Sequence, residues 1–291
     1  MQVISEPNEL DLVLEAIQQT CGYDFRRYAR SSLRRRLSDL LDESTFTHLT
    51  DMIPPIRHDS NFLDQVLRRL SITVTEMFRD PAFYQALRTE VLPILRALPV
   101  LKIWHAGCAT GEEVYSMAIL LKEEGLYERA RIYATDFNNN ALQIAQEGIY
   151  STEAIKTGTA NYISAGGRGS FSEFYHAEYG ATKMREALKR NITFSHHNLA
   201  TDGPFSRMNL ILCRNVMIYF DRTLQQRVFS LFADSLYPDS FLCLGSQETL
   251  RFSNVSNDFE EVSPDDRIYR HTARQHRMTG TKETIEALQT S

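Results

Sequence analysis

The spacing of apolar residues changes after about 97 residues. Residues 1–97 carry apolar positions at helical spacing and show no alternation typical of a strand. Asp24 is the predicted cap of a helix that runs to about Leu41, because leucines recur there at the spacing of one buried face. Asp80, which precedes a proline at the first helical position, predicts a later helix that extends toward Leu98.

From Val100 onward, short apolar runs alternate with helical patterns. Strands are predicted over 101–106, 131–136, 191–196, 209–213 and 240–245, helices over 114–121 and 139–146, and a closing antiparallel hairpin over 259–262 and 267–271. Alternation of this kind indicates a parallel sheet with right-handed crossovers. The glycine-rich interval between Gly148 and Asn191 is too long for a simple crossover and predicts an inserted subdomain.

These patterns predict an α/β protein in three parts. A Rossmann-like sheet domain spans 98–271 and contains a small β subdomain at 149–190. An all-α domain with its linker, 1–97, precedes the sheet domain, and a polar tail, 272–291, follows it. No apolar run reaches membrane-spanning length and the start does not resemble a signal peptide, so we expect a cytoplasmic protein that does not insert into a membrane.

Composition narrows the choice of partners and cofactors. The four cysteines are scattered, which argues against a disulfide framework and a zinc site. The adjacent histidines His196 and His197 lack a third ligand nearby, so we interpret them as structural or exposed residues and expect no metal. The net charge of −5 makes a nucleic-acid partner unexpected.

One basic segment stands out on this acidic chain. Arg27, Arg30 and Arg34 follow helical spacing and would form a stripe beside the leucine face. The stripe predicts a docking surface for an acidic partner, with a solvated helix flank as the alternative.

Polar residues interrupt apolar runs where strands are predicted to end. Arg214 and Asn215 break one run, and in parallel sheets such positions lie at the ligand-binding edge. The loop from Gly107 to Gly111 has too few glycines for a dinucleotide fingerprint, whereas S-adenosylmethionine requires only a tight turn there. Asp136, at the end of the next strand, is positioned to accept ribose hydroxyls, with a helix cap as the alternative.

Five segments carry a family resemblance: Thr75–Arg79 (TEMFR), Ala106–Ser116 (AGCATGEEVYS), Ala134–Asp136 (ATD), Gly148–Tyr150 (GIY) and Cys213–Asp221 (CRNVMIYFD). Together they resemble the CheR family of chemoreceptor glutamate methyltransferases, over about residues 8–271. The last segment is highly specific.

The resemblance implies transfer of a methyl group from S-adenosylmethionine to glutamates on the cytoplasmic helical bundle of chemoreceptors, by a protein expected to be a monomer. The residues that it places at the cofactor are Thr73, Thr75, Arg79, Glu113, Asp136, Asn198, Leu199, Arg214 and Asn215. Many members carry Asn where this chain has Thr73, so a hydroxyl would replace part of an amide contact.

The chemistry of an ester-forming transfer agrees with the absence of a Ser-His or Cys-His pair in the sequence. A glutamate carboxylate is already ionised at neutral pH and needs no general base. Arg79 would then hold the substrate carboxylate and Tyr219 would face the reacting methyl group. The alternatives are a salt bridge between domains for Arg79 and a packed core ring for Tyr219.

Two other functions compete with this one. Methyltransferases that act on adenine or glutamine amides typically carry an Asn/Asp-Pro-Pro-aromatic stretch, but this chain has Arg-Asn-Val-Met from Arg214 to Met217. The non-enzymatic alternative is a signalling module that docks through its basic helix and whose cofactor pocket is vestigial.

Overall fold

The computed structural model describes residues 8–70, 75–178 and 180–272. Its α-helices are α1 Glu9–Cys21, α2 Arg30–Asp42, α3 Ile53–His58, α4 Ser60–Leu70, α5 Pro81–Ala86, α6 Leu92–Leu95, α7 Glu112–Glu123, α8 Asn139–Glu147, α9 Thr152–Ser164 and α10 Arg222–Ser235. Its strands are β1 Leu101–Ala106, β2 Ala130–Asp136, β3 Ile149–Ser151, β4 Tyr175–Glu178, β5 Ala181–Met184, β6 Ile192–His196, β7 Met208–Cys213, β8 Leu236–Leu244, β9 Phe259–Ser263 and β10 Ile268–His271. Apart from Thr272, the predicted polar tail lies outside the described residues.

Helices α1 to α4 pack around their own apolar core. Leu14 and Ile17 from α1 and Leu33 and Leu37 from α2 are fully or almost fully buried in it. The Asn8 side chain accepts the Leu10 N–H and so caps the start of α1. The leucine spacing therefore identifies the buried face of α2 correctly.

The predicted start of α2 was wrong. The helix begins at Arg30, and Asp24 instead accepts hydrogen bonds from the backbone N and the Nε of Arg26, at 3.0 and 2.8 Å. Short polar side chains often bind nearby backbone in this way rather than capping a helix. Arg27 consequently lies outside α2.

The segment before α2 joins the two domains. Tyr28 forms an isolated antiparallel bridge with Phe220 of the sheet domain. The Ala29 N–H donates to the Tyr219 carbonyl and the Asp221 N–H donates to the Arg27 carbonyl, both at 2.7 Å. The Ala29 N–H and the Arg27 carbonyl are thus bound to the sheet domain, and they are not available for the hydrogen bonds of a helix that begins earlier than Arg30.

Helix α5 begins at Pro81, directly after Asp80, as predicted, but Asp80 does not cap it with its side chain. Its backbone is left-handed, with φ 58°, and its side chain makes no capping hydrogen bond to α5. The predicted helix toward Leu98 is also divided, since a π-helical turn at Leu87–Val91 separates α5 from α6. Pro93 explains the division, because proline has no N–H to donate and clashes with the preceding turn.

The central sheet has the strand order β6-β2-β1-β7-β8-β10-β9. The first five strands of that order are parallel to one another, and β10 runs antiparallel to both of its neighbours, β8 and β9. Burial of both faces of β7 explains its continuous apolar run. The predicted α/β class, with its helical domain and Rossmann-like sheet, is confirmed. Strand β1 lies where the chain order reverses, and a ligand crevice is expected at its carboxyl end.

The inserted subdomain is a three-stranded antiparallel sheet, ordered β3-β5-β4, together with α9. Tyr162 of α9 is buried against Phe78 and Phe171. At the base of the subdomain lies Glu124, which is buried and forms ion pairs with Arg88, Arg96 and Arg168, at 2.8, 3.1 and 2.8 Å. The pair with Arg168 attaches the insert to the end of α7, and the pairs with Arg88 and Arg96 attach the segment before β1 to the same point. This end of α7 is the one away from the pocket residue Glu113.

Among residues 8–70, 75–178 and 180–272, none of the helices combines the length and the apolar character that crossing a bilayer requires.

Candidate active site

A pocket opens at the carboxyl ends of β1, β2 and β7. It brings together nearly all the residues predicted for the cofactor and for catalysis, namely Thr75, Arg79, Glu113, Asp136, Asn198, Leu199, Arg214, Asn215 and Tyr219. Thr73 lies outside the described residues, so its predicted contact stays a prediction. Tyr28 and Leu70 of the helical domain also line the pocket, which therefore lies between the two domains.

The loop after β1 approaches its neighbours too closely for side chains. A Cβ on Gly107, which has φ +80°, would lie 2.6 Å from Cγ2 of Val216. A Cβ on Gly111, which has φ +92°, would lie 2.8 Å from the Cβ of Ala145. Glycine is required at both positions for conformation and for space.

Asp136 presents a fixed carboxylate to the pocket. One carboxylate oxygen accepts the Asn138 N–H and the other accepts the Ala109 N–H, both at 2.9 Å. Burial raises the pKa of Asp136, and these two donors oppose the rise. The cap of α8 is Asn138, whose side chain accepts from Asn140 and Ala141, so the capping alternative for Asp136 is wrong.

Glu113 lies at the centre of a buried chain of polar contacts. Its Oε1 is 2.9 Å from Nδ1 of the fully buried His105, and its Oε2 accepts from Nη1 of Arg214 at 3.2 Å. Arg214 also donates to Asp80 at 2.6 Å. Burial acts to raise the pKa of Glu113, but the His105 contact and the charge of Arg214 outweigh it and leave that pKa below its ordinary value.

The sequence missed His105 and the true role of Asp80. His105 lies inside an apolar strand, so only the position of Glu113 eight residues later could have suggested a contact between them. Asp80 has a local signal for a helix cap that hides its long-range bond to Arg214. The Arg214 guanidinium is held further by the Phe83 ring, whose centre lies 4.0 Å away.

Tyr219 lines the pocket with its ring partly exposed. The guanidinium of Arg36 lies 4.8 Å from the centre of that ring. Arg36 is itself buried, and its Nη1 donates to the Leu70 carbonyl. The ring of Tyr219 is therefore shared between the pocket and the helical domain, and nothing in its sequence segment predicted this contact.

Arg79 is partly exposed in the pocket. Its carbonyl is 3.5 Å from Nη1 of Arg214, whereas its guanidinium has no ion-pair partner in the part of the chain that the structure describes. The alternative of a salt bridge between domains therefore has no support among those residues.

The two adjacent histidines have separate surroundings. His197 is buried, lines the pocket, and has Nε2 3.1 Å from the Gly203 carbonyl. His196 stacks on the ring of Tyr23. Within the described ranges, no three or more histidines, cysteines and carboxylates are grouped as metal ligands.

The three arginines predicted for docking lie outside the pocket and do not form one uniform stripe. Arg30 pairs with Asp11 at 2.6 Å, and Arg27 lies 3.8 Å from Asp221. Arg34 is exposed on α2. Since Arg27 precedes the helix, the three cations share a region of the surface but not one helix face.

Comparison with known proteins identifies the family. The model described as "CheR methyltransferase, SAM binding domain" matches residues 73–268, and the model described as "CheR methyltransferase, all-alpha domain" matches residues 8–71. The chain belongs to the CheR methyltransferase family. It is accordingly an S-adenosylmethionine-dependent methyltransferase of the chemotaxis type, and the resemblance found in its motifs is confirmed.

Curated relatives of this CheR family member agree with that assignment. It is 47% identical over 262 residues to "Putative methyltransferase Cher3" of Pseudomonas putida, which covers 90% of this chain and 96% of the relative. It is 30% identical over 256 residues to "Chemotaxis protein methyltransferase 1" of Vibrio cholerae, covering 84% of this chain and 90% of the relative. The corresponding protein of Borreliella burgdorferi is 29% identical over 258 residues, with 84% and 89% covered.

The pocket of this CheR chain has the chemistry that S-adenosylmethionine requires. Asp136 offers a buried, oriented acceptor for ribose hydroxyls, and the lowered pKa of Glu113 keeps an anion available for an amino group. Phe137 and Leu199 supply apolar surface for a planar base. The residues that line the pocket therefore fit S-adenosylmethionine.

Proposed function

We propose that this protein methylates glutamate side chains on the cytoplasmic helices of chemoreceptors and forms γ-glutamyl methyl esters. The observation that carries the proposal is Arg79, which lines the same pocket as Tyr219 and whose guanidinium has no ion-pair partner among the described residues. A cation without an ion-pair partner in the pocket of the methyl donor suits a methyl acceptor that is an anion. Relatives bear the name chemotaxis protein methyltransferase, which supports chemoreceptors as the substrate class.

The cofactor, when bound, supplies a methyl group on a positively charged sulfur. Asp136 would accept hydrogen bonds from its ribose, and Glu113 would accept from its amino group. The other residues assigned to it are Thr73, Thr75, Arg79, Asn198, Leu199, Arg214 and Asn215. The chain from His105 through Glu113 and Arg214 to Asp80 holds the Glu113 carboxylate in one orientation.

Catalysis rests on alignment and charge. The substrate carboxylate is ionised at neutral pH, so no side chain has to remove a proton from it. Arg79 holds that carboxylate by charge-assisted hydrogen bonds, and the ring of Tyr219 presents electron density toward a cationic group. Arg79 would thus fix the acceptor and Tyr219 would face the methyl donor, so that the two groups are held in line.

The domains divide recognition from chemistry. We assign receptor docking to 1–97, methyl transfer to 98–271, and leave 272–291 as a polar tail. Arg27, Arg30 and Arg34 would meet the acidic surface of a receptor bundle while the protein acts as a monomer, and the insert at 149–190 is a second surface for a receptor segment. Nucleic acid has no part in this scheme.

A transfer assay tests the proposed reaction. Wild-type protein is incubated with labelled S-adenosylmethionine and a panel of receptor cytoplasmic domains, and the product is treated with alkali. A γ-glutamyl ester releases labelled methanol under these conditions, whereas a methylated amine or amide retains its label. Receptors with Glu→Ala at their methylation sites are the matched control and should take up no label.

Titration calorimetry separates the alternatives. If the protein binds S-adenosylmethionine but labels receptors in an alkali-stable form, ester formation is contradicted. If it binds no S-adenosylmethionine at all, the vestigial-pocket alternative replaces the proposed activity.

A further inference from the structure

Glu248 lies behind the pocket and binds the backbone of the loop that forms one wall of it. The residue is 5% exposed, and its carboxylate accepts four main-chain N–H groups. Oε1 accepts from Val216 at 2.9 Å and from Met217 at 2.7 Å, and Oε2 accepts from Asn215 at 3.0 Å and from Gly245 at 2.6 Å. Each oxygen therefore serves two donors.

The conformation of that loop gathers neighbouring main-chain N–H groups around the Glu248 carboxylate. Asn215 has φ +60°, which is left-handed, and Val216 follows in the right-handed region with φ −109° and ψ −51°. This sequence of conformations turns successive N–H groups toward one point and forms an anion-binding concavity. Without an acceptor at that point, three neighbouring buried donors would be left close together and unpaired.

The loop positions four pocket residues, namely Arg214, Asn215, Val216 and Tyr219. Its neighbours leave it little space to move, because a Cβ on Gly245 would lie 2.7 Å from the Asn215 nitrogen. Val216 in turn fills the space beside Gly107 of the loop after β1. A shift of the loop would thus displace residues on both sides of the pocket.

We infer that Glu248 is a positioning residue for methyl transfer, which acts through the charge of its carboxylate on the loop from Arg214 to Tyr219. The inference rests on the proposed function, since Asn215 is assigned to the cofactor and Tyr219 to the reacting methyl group. Glu248 itself does not line the pocket.

Glu248→Gln tests the inference with little change in shape. The amide replaces one acceptor oxygen by a donor group, so two main-chain N–H groups lose their partner and the charge is removed. We expect kcat for receptor methylation to fall about tenfold or more and the dissociation constant for S-adenosylmethionine to rise about threefold, while the KM for receptor is unchanged. Amide hydrogen exchange of Asn215, Val216 and Met217 in the cofactor-free protein should accelerate about tenfold or more.

Glu124→Gln is the matched control. Glu124 is also a buried glutamate with several partners, but it lies at the base of the inserted subdomain. Its substitution should lower the melting temperature and leave kcat, cofactor affinity and exchange at the three loop amides unchanged. All rates are measured at a temperature where both variants are fully folded.

Gly245→Ala is a second variant, in case Glu248→Gln does not fold. Its Cβ would lie 2.7 Å from the Asn215 nitrogen and 2.9 Å from Oε2 of Glu248, so it would separate the carboxylate from the loop while the Glu248 charge remains. It should reproduce the loss of kcat and the faster exchange.

The readouts separate this inference from the proposed function. Amide exchange needs neither cofactor nor receptor, so it tests the hold of Glu248 on the loop even if wild-type protein methylates no receptor. If Glu248→Gln loses only thermal stability and keeps wild-type kcat, cofactor affinity and amide exchange, Glu248 is merely a structural residue and the inference is overturned.

Discussion

The guanidinium of Arg36 lies 4.8 Å from the centre of the Tyr219 ring. Arg36 belongs to helix α2 of the helical domain, whereas Tyr219 lines the active-site pocket of the sheet domain. A residue on the helix proposed for receptor docking therefore contacts a residue proposed for catalysis. This relationship gives the first prediction.

Arg36→Leu should lower kcat about tenfold and change the affinity for S-adenosylmethionine little. The substitution keeps apolar bulk but removes the cation that orients the Tyr219 ring, and cation–π contacts in such partly desolvated positions contribute about 1 to 2 kcal/mol. Steady-state kinetics and calorimetry measure the two quantities. Arg35→Leu, one position away and exposed, is the control. Equal turnover in both variants would remove Arg36 from the catalytic arrangement.

Asp136→Ala should weaken S-adenosylmethionine binding about tenfold or more. Hydrogen bonds to a charged acceptor contribute about 1.5 to 3 kcal/mol each, and the carboxylate of Asp136 is already oriented by two main-chain donors. Calorimetry on the folded variant provides the measurement, with the exposed Asp239→Ala as control. Unchanged affinity in Asp136→Ala would refute the ribose site.

Receptor docking should depend on exposed cations, of which Arg34 is exposed on α2 and Arg27 is exposed with a loose contact of 3.8 Å to Asp221. Reversal of Arg27 and Arg34 to Glu should raise the KM for receptor at low salt, leave cofactor affinity unchanged, and lose its effect as salt rises. Asp11→Asn should do the opposite, because it releases Arg30 from its ion pair. If neither change alters the KM for receptor, the arginines form only a solvated surface and docking must be sought in the insert.

Glu112 should make stability fall as pH rises. Burial raises the pKa of Glu112 to about 7 from an ordinary value of 4.5. Because the folded-state pKa is the higher one, the associated stability is fully present below pH 4.5 and is lost as pH rises through 7. Such a shift corresponds to about 3 kcal/mol in unfolding free energy.

Glu112→Gln, which cannot ionise, should therefore lose less unfolding free energy than wild type between pH 5 and pH 8. Urea unfolding at the two pH values measures the difference, and the exposed Glu90→Gln is the control that should behave as wild type. A wild-type pH dependence in Glu112→Gln would show that the buried carboxyl does not titrate in this range.

Periodicity was sufficient to predict the fold because the strands of the sheet are short, mainly apolar segments that alternate with helical patterns. β1 has the bounds predicted for it, and β2 and β7 begin one residue earlier than predicted. Their polar ends also predicted Asp136 and Arg214, since a charged residue that follows a buried strand has few structural explanations. The start of α2 was predicted wrongly because the local signal at Asp24 competed with tertiary contacts. Helix α5 begins at Pro81 as predicted, and only the capping role of the Asp80 side chain was wrong.

The parts of the site that could not be predicted are contacts between distant segments. The contact of Arg36 with Tyr219 and that of Glu248 with the loop after β7 join residues with no sequence periodicity in common. A glutamate that binds four backbone amides looks in the sequence like any surface glutamate. Only the fold brings such a side chain to the groups that it serves.

Two of the hydrogen bonds that join the domains beside the active site are made by main chain. The contacts of Arg27 with Asp221 and of Ala29 with Tyr219 use N–H and C=O groups, which every residue type except proline possesses in full. Substitutions along this segment can therefore accumulate during evolution without removing these two hydrogen bonds. A lineage that acquires new receptors can therefore substitute exposed residues of α2 while the hydrogen bond from Ala29 still holds the backbone of Tyr219.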